Sequence, residues 1–286
     1  MRLGPFDTSE IKVRGGGGGG RAAGGLGCGT IVIALIAAVV FGADPMQTIG
    51  MLEGVQQQLP AESPQADVSE EELCASSAYA TEACAALASL NRTWEPVFAR
   101  SNARFEQPEL VLYPSGPVAT RGCGNASSAA GPFYCPADMG IYLDTTFFDQ
   151  LARMSGARGN FARLYVIGHE YGHHLQNLTG INREIRAAQQ RNPSAANRMQ
   201  VAMELQADCL AGVWAGKNRD LLEPGDLEAG MMAASSIGDD ALMRGSGRDI
   251  NPEAFTHGTS EQRMEALRRG LKTADANACN AYIDAI

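Results

Sequence analysis

The chain has 286 residues, of which 45% are hydrophobic and 19% charged, with a formal net charge of −9. That length accommodates one sizeable core plus appendages, and the composition is globular. The acidic balance argues against a nucleic-acid partner, which requires a basic face, and no interval of about 20–50 residues repeats, which removes solenoids and propellers.

Residues 1–21 are polar, contain Arg2, Lys12, Arg14 and Arg21, and hold a run of six glycines from Gly15. They are expected to form a disordered tail. Residues 22–43 carry no charge and match the length of one membrane-spanning helix. No small-residue cleavage site of the signal-peptide kind follows them. The basic residues precede this span, and none occurs after it until Arg92. The expected arrangement is therefore a single-pass protein of the bacterial inner membrane, with a cytoplasmic N-terminus and the bulk of the chain outside. Residues 44–70, with three prolines and scattered acids, read as a flexible linker. Residues 71–286 then form the main domain.

Six cysteines lie beyond the span: Cys74, Cys84, Cys123, Cys135, Cys209 and Cys279. In an oxidising compartment an even set implies disulfides, although six cysteines allow about fifteen pairings. The preferred set is Cys123–Cys135, Cys209–Cys279 and Cys74–Cys84. The last needs a break in its helix, because ten helical residues would hold the two about 15 Å apart.

Within the domain, residues 71–103 are alanine-rich and helical, with Pro96 as a kink. Residues 110–113 and 140–143 read as short strands, the second offering an edge to an extended substrate. Asp144 is placed to cap a helix over 147–154. Residues 161–178 carry apolar side chains at helical spacing, and further helices follow Pro193 and cover 226–237. A short sheet with helices on one side makes an α+β domain.

The helix over 161–178 contains His169-Glu170-Tyr171-Gly172-His173, an HExxH motif. Residues at i and i+4 share a helix face, so both imidazoles can grip one zinc ion, and Glu170 projects to the side where it can act as a base. The spacing that would add a third histidine is absent, since Gln176 and Thr179 occupy those positions. The best remaining ligand is Glu204 on a later apolar helix, and Asp208 one turn on can accept a bond from the far nitrogen of a ligand histidine. His174 must point elsewhere. Gly172 implies that another element packs closely on its face. His257 sits at a turn before a helix that Thr259 or Ser260 can cap. It reads either as an oxyanion donor or as a structural residue. Arg263 is expected to pair with an acid near the site and hold that turn.

Four blocks carry a family resemblance: HEYGHHLQ at 169–176, MELQADCLAGVWAG at 203–216, GCGNASSAAGPFYCPAD at 122–138 and FTHGTSEQR at 255–263. In these the chain resembles the bacterial neutral zinc metallopeptidase family, which is similar to the gluzincins and includes an N-terminal anchor. The resemblance implies a zincin-like domain in which His169, His173 and Glu204 bind one zinc, Glu170 is the general base and Asp208 orients His169.

The expected function is a membrane-anchored metallopeptidase that hydrolyses peptide bonds with zinc-activated water, acting on a peptide or protein substrate. Two other readings stand beside it. One is a membrane-tethered scaffold with a structural zinc, which would have no use for Glu170. The other is an amidase acting on cell-wall peptides.

Overall fold

The computed structural model describes residues 1–16, 68–127 and 131–286. The span expected at 22–43 and most of the linker expected at 44–70 lie outside these residues. Among the described residues no helix is long and apolar enough to cross a membrane.

Ser69 opens helix α1 (Glu70–Ala75) with a capping box to Glu72. Ser76 and Ser77 interrupt the alanine-rich segment, and the Ser77 hydroxyl accepts from the Ala80 amide to start α2 (Ala78–Arg100), which runs through Pro96. The break brings Cys74 and Cys84 to a Cα separation of 5.9 Å, and they form a disulfide.

The main sheet holds β1 (Lys12–Gly15), β2 (Glu109–Tyr113), β5 (Phe133–Cys135) and β6 (Gly140–Asp144). Their order is β1-β2-β6-β5, and β3 (Pro117–Ala119) and β4 (Asn125–Ser127) form a separate two-stranded piece. Strands β1, β2 and β6 run parallel, whereas β5 is antiparallel to β6. Successive side chains alternate faces. Leu110, Leu112, Ile141 and Leu143 enter the helical core, while Val111, Tyr113 and Tyr142 pack with Val118 and Ala126 of the small sheet. Residues 140–143 are thus a strand, but not an open one: β6 is hydrogen-bonded on both sides, and β5 is the outermost strand next to the helices.

The tail expected over 1–21 is ordered from Met1 to Gly16. Ile11 and Val13 are buried, and Val13 pairs with Leu110. Met1 is fully buried, its amino group pairing with the Asp226 carboxylate and donating to Asn160 Oδ1 at 2.9 Å. The alternation Ile11-Lys12-Val13-Arg14 is strand-like, and β2 supplies the partner that makes the strand stable. A strand bonded to β2 lies on the same side of a membrane as β2. The tail-inside, domain-outside arrangement expected of a single-pass anchor would therefore require β1 to leave this sheet. Single cysteines introduced at the exposed positions Ser9 and Glu261 are expected to behave alike towards a membrane-impermeant maleimide in intact cells, both labelled or both protected. Labelling of one alone would mean that β1 is out of the sheet in the cell.

Among the described residues seven further α-helices follow: α3 (Phe147–Ser155), α4 (Phe161–Leu178), α5 (Ile181–Arg191), α6 (Ala196–Lys217), α7 (Asp226–Ser236), α8 (Asp239–Gly245) and α9 (Ser260–Thr273). Asp144 does not cap α3. It accepts from the Thr146 amide and hydroxyl, bracing the strand-to-helix turn instead. Helices α4 and α6 touch at Gly172, where a Cβ would lie 2.8 Å from the Ala207 Cα. Helix α9 crosses α6 through Gly270, where a Cβ would collide with the Cys209 carbonyl. The Cys209–Cys279 disulfide ties α6 to the segment after α9, and Cys123–Cys135 joins β5 to the loop before β4. These crossings bring α4, α6 and α9 around one point.

Candidate metal centre

His169 and His173 lie one turn apart on α4, with ring centroids 4.7 Å apart. The close α4–α6 crossing places Glu204 against them: its Oε2 is 3.1 Å from His169 Nε2 and 3.6 Å from His173 Nε2. One ligand atom from each residue lies within 4.8 Å of the others. Donors bound tetrahedrally to zinc at roughly 2.0–2.1 Å would lie about 3.3 Å from one another, so this spacing fits the ion.

The hydrogen bonds behind the rings decide which nitrogens face inward. His169 Nδ1 is 2.7 Å from Asp208 Oδ1, and His173 Nδ1 is 2.9 Å from Gln176 Oε1. Both partners are acceptors there, so each Nδ1 carries a proton and each Nε2 can turn a lone pair toward Glu204. Two lone pairs facing a buried carboxylate require a cation or extra protons. In the metal-free chain the rings take the protons. Burial opposes their charge, but Asp208 and Glu204 raise His169 to about 10, and His173 is also raised. Burial likewise opposes ionisation of Glu204, yet His173, His257 and His169 hold it well below the usual carboxylate range.

Glu170 is 7% exposed, and its carboxylate has no hydrogen-bond partner among the described residues. Burial pushes its pKa up, partly offset by the neighbouring imidazoles. A carboxylate with raised pKa and no fixed partner beside a metal site is suited to taking and returning a proton.

Asp208 is fully buried. Besides His169 it accepts from the Tyr165 hydroxyl at 2.6 Å and from Arg263 Nε at 2.9 Å and Nη2 at 3.0 Å. Arg263 thus finds its acid in Asp208, and it also donates to the Ile237 carbonyl. His174 faces away: it bonds the Tyr134 hydroxyl and the Glu106 carbonyl, and burial lowers it to about 4, so it is a neutral core residue at pH 7. His257 stands on the turn before α9, whose N-cap is Thr259 in a capping box with Gln262. Its Nδ1 lies 3.3 Å from Asp239 Oδ1, and Asp239 Oδ2 accepts the amides of Thr256, His257 and Gly258.

Several supporting residues escape sequence reasoning. Gln176 fixes His173 and is itself held by bonds to Met203 and Gln206. Gln200 donates to Glu204 Oε1 at 2.8 Å, one turn before it on α6. Spacing of three and four from a ligand was the available signal for both. Tyr165, four residues before His169, offered the same signal, whereas Asp239 offered none.

The family model described as "Putative neutral zinc metallopeptidase" matches residues 7–282. An uncharacterized protein of Escherichia coli K12, YpfJ, is 45% identical over 199 residues, covering 68% of this chain and 69% of that protein. An uncharacterized protein of Mycobacterium bovis, Mb2605, is 40% identical over 207 residues, covering 68% of this chain and 67% of that protein. No solved structure matches the chain. The family match spans nearly the whole sequence and includes every residue of the centre, so the chain belongs to the family described as putative neutral zinc metallopeptidases.

Proposed function

We propose that this protein is a zinc-dependent peptidase that hydrolyses peptide bonds in peptide or protein substrates, holding one zinc per chain through His169, His173 and Glu204. The observation that carries the proposal is the buried Glu170 carboxylate, without a hydrogen-bond partner among the described residues, beside three converging donors. A zinc held for stability alone needs no base at its side, and closed structural sites prefer four protein ligands. When bound, the ion supplies Lewis acidity that acidifies a water and polarises a carbonyl.

The chain's own residues do the rest. Glu170 accepts the proton of the attacking water and delivers it to the leaving amine. Asp208 and Gln176 hold the two ligand imidazoles by their Nδ1 protons. Strand β5 is the outermost strand on its side and packs against α4, where Tyr134 bonds His174 and Asn177, so an extended peptide adding to that edge would run beside the helix that carries His169 and His173. His257, steadied by Asp239, is the proposed donor to the oxygen that becomes negative during attack. His257→Ala is expected to keep zinc and fold while losing roughly 10²–10³ in kcat. Loss of folding with normal specific activity in the surviving fraction would make it structural.

The three disulfides support work in an oxidising compartment outside the cytoplasm. Attachment to the inner membrane through residues 22–43 rests on their uncharged composition and length, which match one spanning helix.

Purified full-length protein, with and without chelator, tested against an unbiased peptide library and cell-wall peptides, is the decisive experiment. Chelator-sensitive cleavage of library peptides is expected. Cleavage of cell-wall peptides alone would favour the amidase reading, and a bound zinc with no hydrolysis would favour the scaffold.

A further inference from the structure

The buried polar cluster behind His169 contains more than an orienting carboxylate requires. Asp208 is fully buried, and its two oxygens accept four bonds: Oδ1 from His169, Tyr165 and Arg263 Nη2, and Oδ2 from Arg263 Nε. Tyr165 and Arg263 are themselves buried, and Arg263 Nη2 also reaches the Tyr165 hydroxyl at 3.2 Å. The three groups come from three helices: Tyr165 from α4, Asp208 from α6 and Arg263 from α9. The close crossing at Gly270 lets the guanidinium reach Asp208.

We propose that Arg263, together with Tyr165, is a positioning residue of the metal centre: it clamps Asp208 in the one orientation that holds His169 ready to bind zinc, which makes the C-terminal helix α9 a working part of the site. A lone buried carboxylate could rotate, and it would present a full uncompensated charge to the imidazole. The planar fork of Arg263 fixes the carboxylate plane and balances its charge, leaving Oδ1 aimed at Nδ1. The bond to the Ile237 carbonyl anchors the fork from the other side. Lysine cannot reproduce two parallel bonds of this kind.

This inference rests on the zinc-site reading above, and zinc affinity tests it without reference to catalysis. In the full chain, Arg263→Met and Arg263→Lys are expected to weaken zinc binding roughly 10–100-fold, measured by competition with a chromophoric chelator. Arg263→Met combined with Asp208→Asn should be no weaker than the worse single variant, because both changes remove the same hold on His169. A folded Arg263 variant with unchanged zinc affinity overturns the proposal, as do strictly additive losses. Should the Arg263 variants fail to fold, Tyr165→Phe decides. It removes a single bond to Asp208 and is expected to weaken zinc binding roughly tenfold, and unchanged affinity there would also overturn the clamp. Glu204→Ala serves as the control: normal zinc binding in that variant would sink the site reading itself.

Discussion

Glu170→Gln is expected to retain one zinc per chain while lowering peptide hydrolysis roughly 10²–10⁴-fold, the range that a positioned base contributes. The amide is nearly isosteric, so the packing of α4 should survive, and Glu170 makes no bond to either imidazole that the change would break. What disappears is the ability to take a proton. Burial already favours the neutral form of this carboxyl, and an ionised Glu170 beside Glu204 is offset by the two imidazoles and by Arg263. The measurement is paired: zinc content of the purified variant and turnover of a peptide that the parent cleaves. If the Gln variant loses zinc as readily as His173→Ala does, Glu170 is a ligand and the assignment of roles is wrong.

Glu204→Ala should be the most damaging change to the metal itself. It leaves two imidazoles and no anionic donor. The loss in zinc affinity is expected to exceed the roughly 10–100-fold typical of an outer partner such as Asp208. The variant also strands Gln200, whose amide donates to Glu204 at 2.8 Å, and removes the main anion beside His173 and the smaller of the two beside His169. Zinc titration of Glu204→Ala and Asp208→Ala side by side separates the two roles. An Asp208→Ala chain that loses more zinc than Glu204→Ala would invert them.

Much of the catalytic layout was legible in residues close together in the chain. HExxH on one apolar helix sets His169 and His173 on a shared face and Glu170 beside it, because helix geometry alone decides which neighbours coincide. The four-residue step from Glu204 to Asp208 carries information of the same local kind: whichever helix bears them must present both to one partner. Gly172 likewise announced a close neighbour, and that neighbour is Ala207. The two short strands and the helix over 161–178 follow from their apolar periodicity.

Partners distant in sequence were decided only by the tertiary structure. Nothing in residues 1–16 says that Val13 will meet Leu110, since a strand this short is stable only when another strand supplies its hydrogen bonds; read alone, the tail looks disordered. Residues 140–143 read correctly as a strand, but edge or centre depends on which strands flank it, and β5 and β2 both do. Arg263 was legible as a cation in need of an acid. That the acid would be Asp208, with Tyr165 sharing it, depends on how closely α9 approaches α6 at Gly270. Local spacing thus determined the proposed histidine ligands and base, while the packing of helices far apart in the chain decided that Glu204 meets them and what holds them in place.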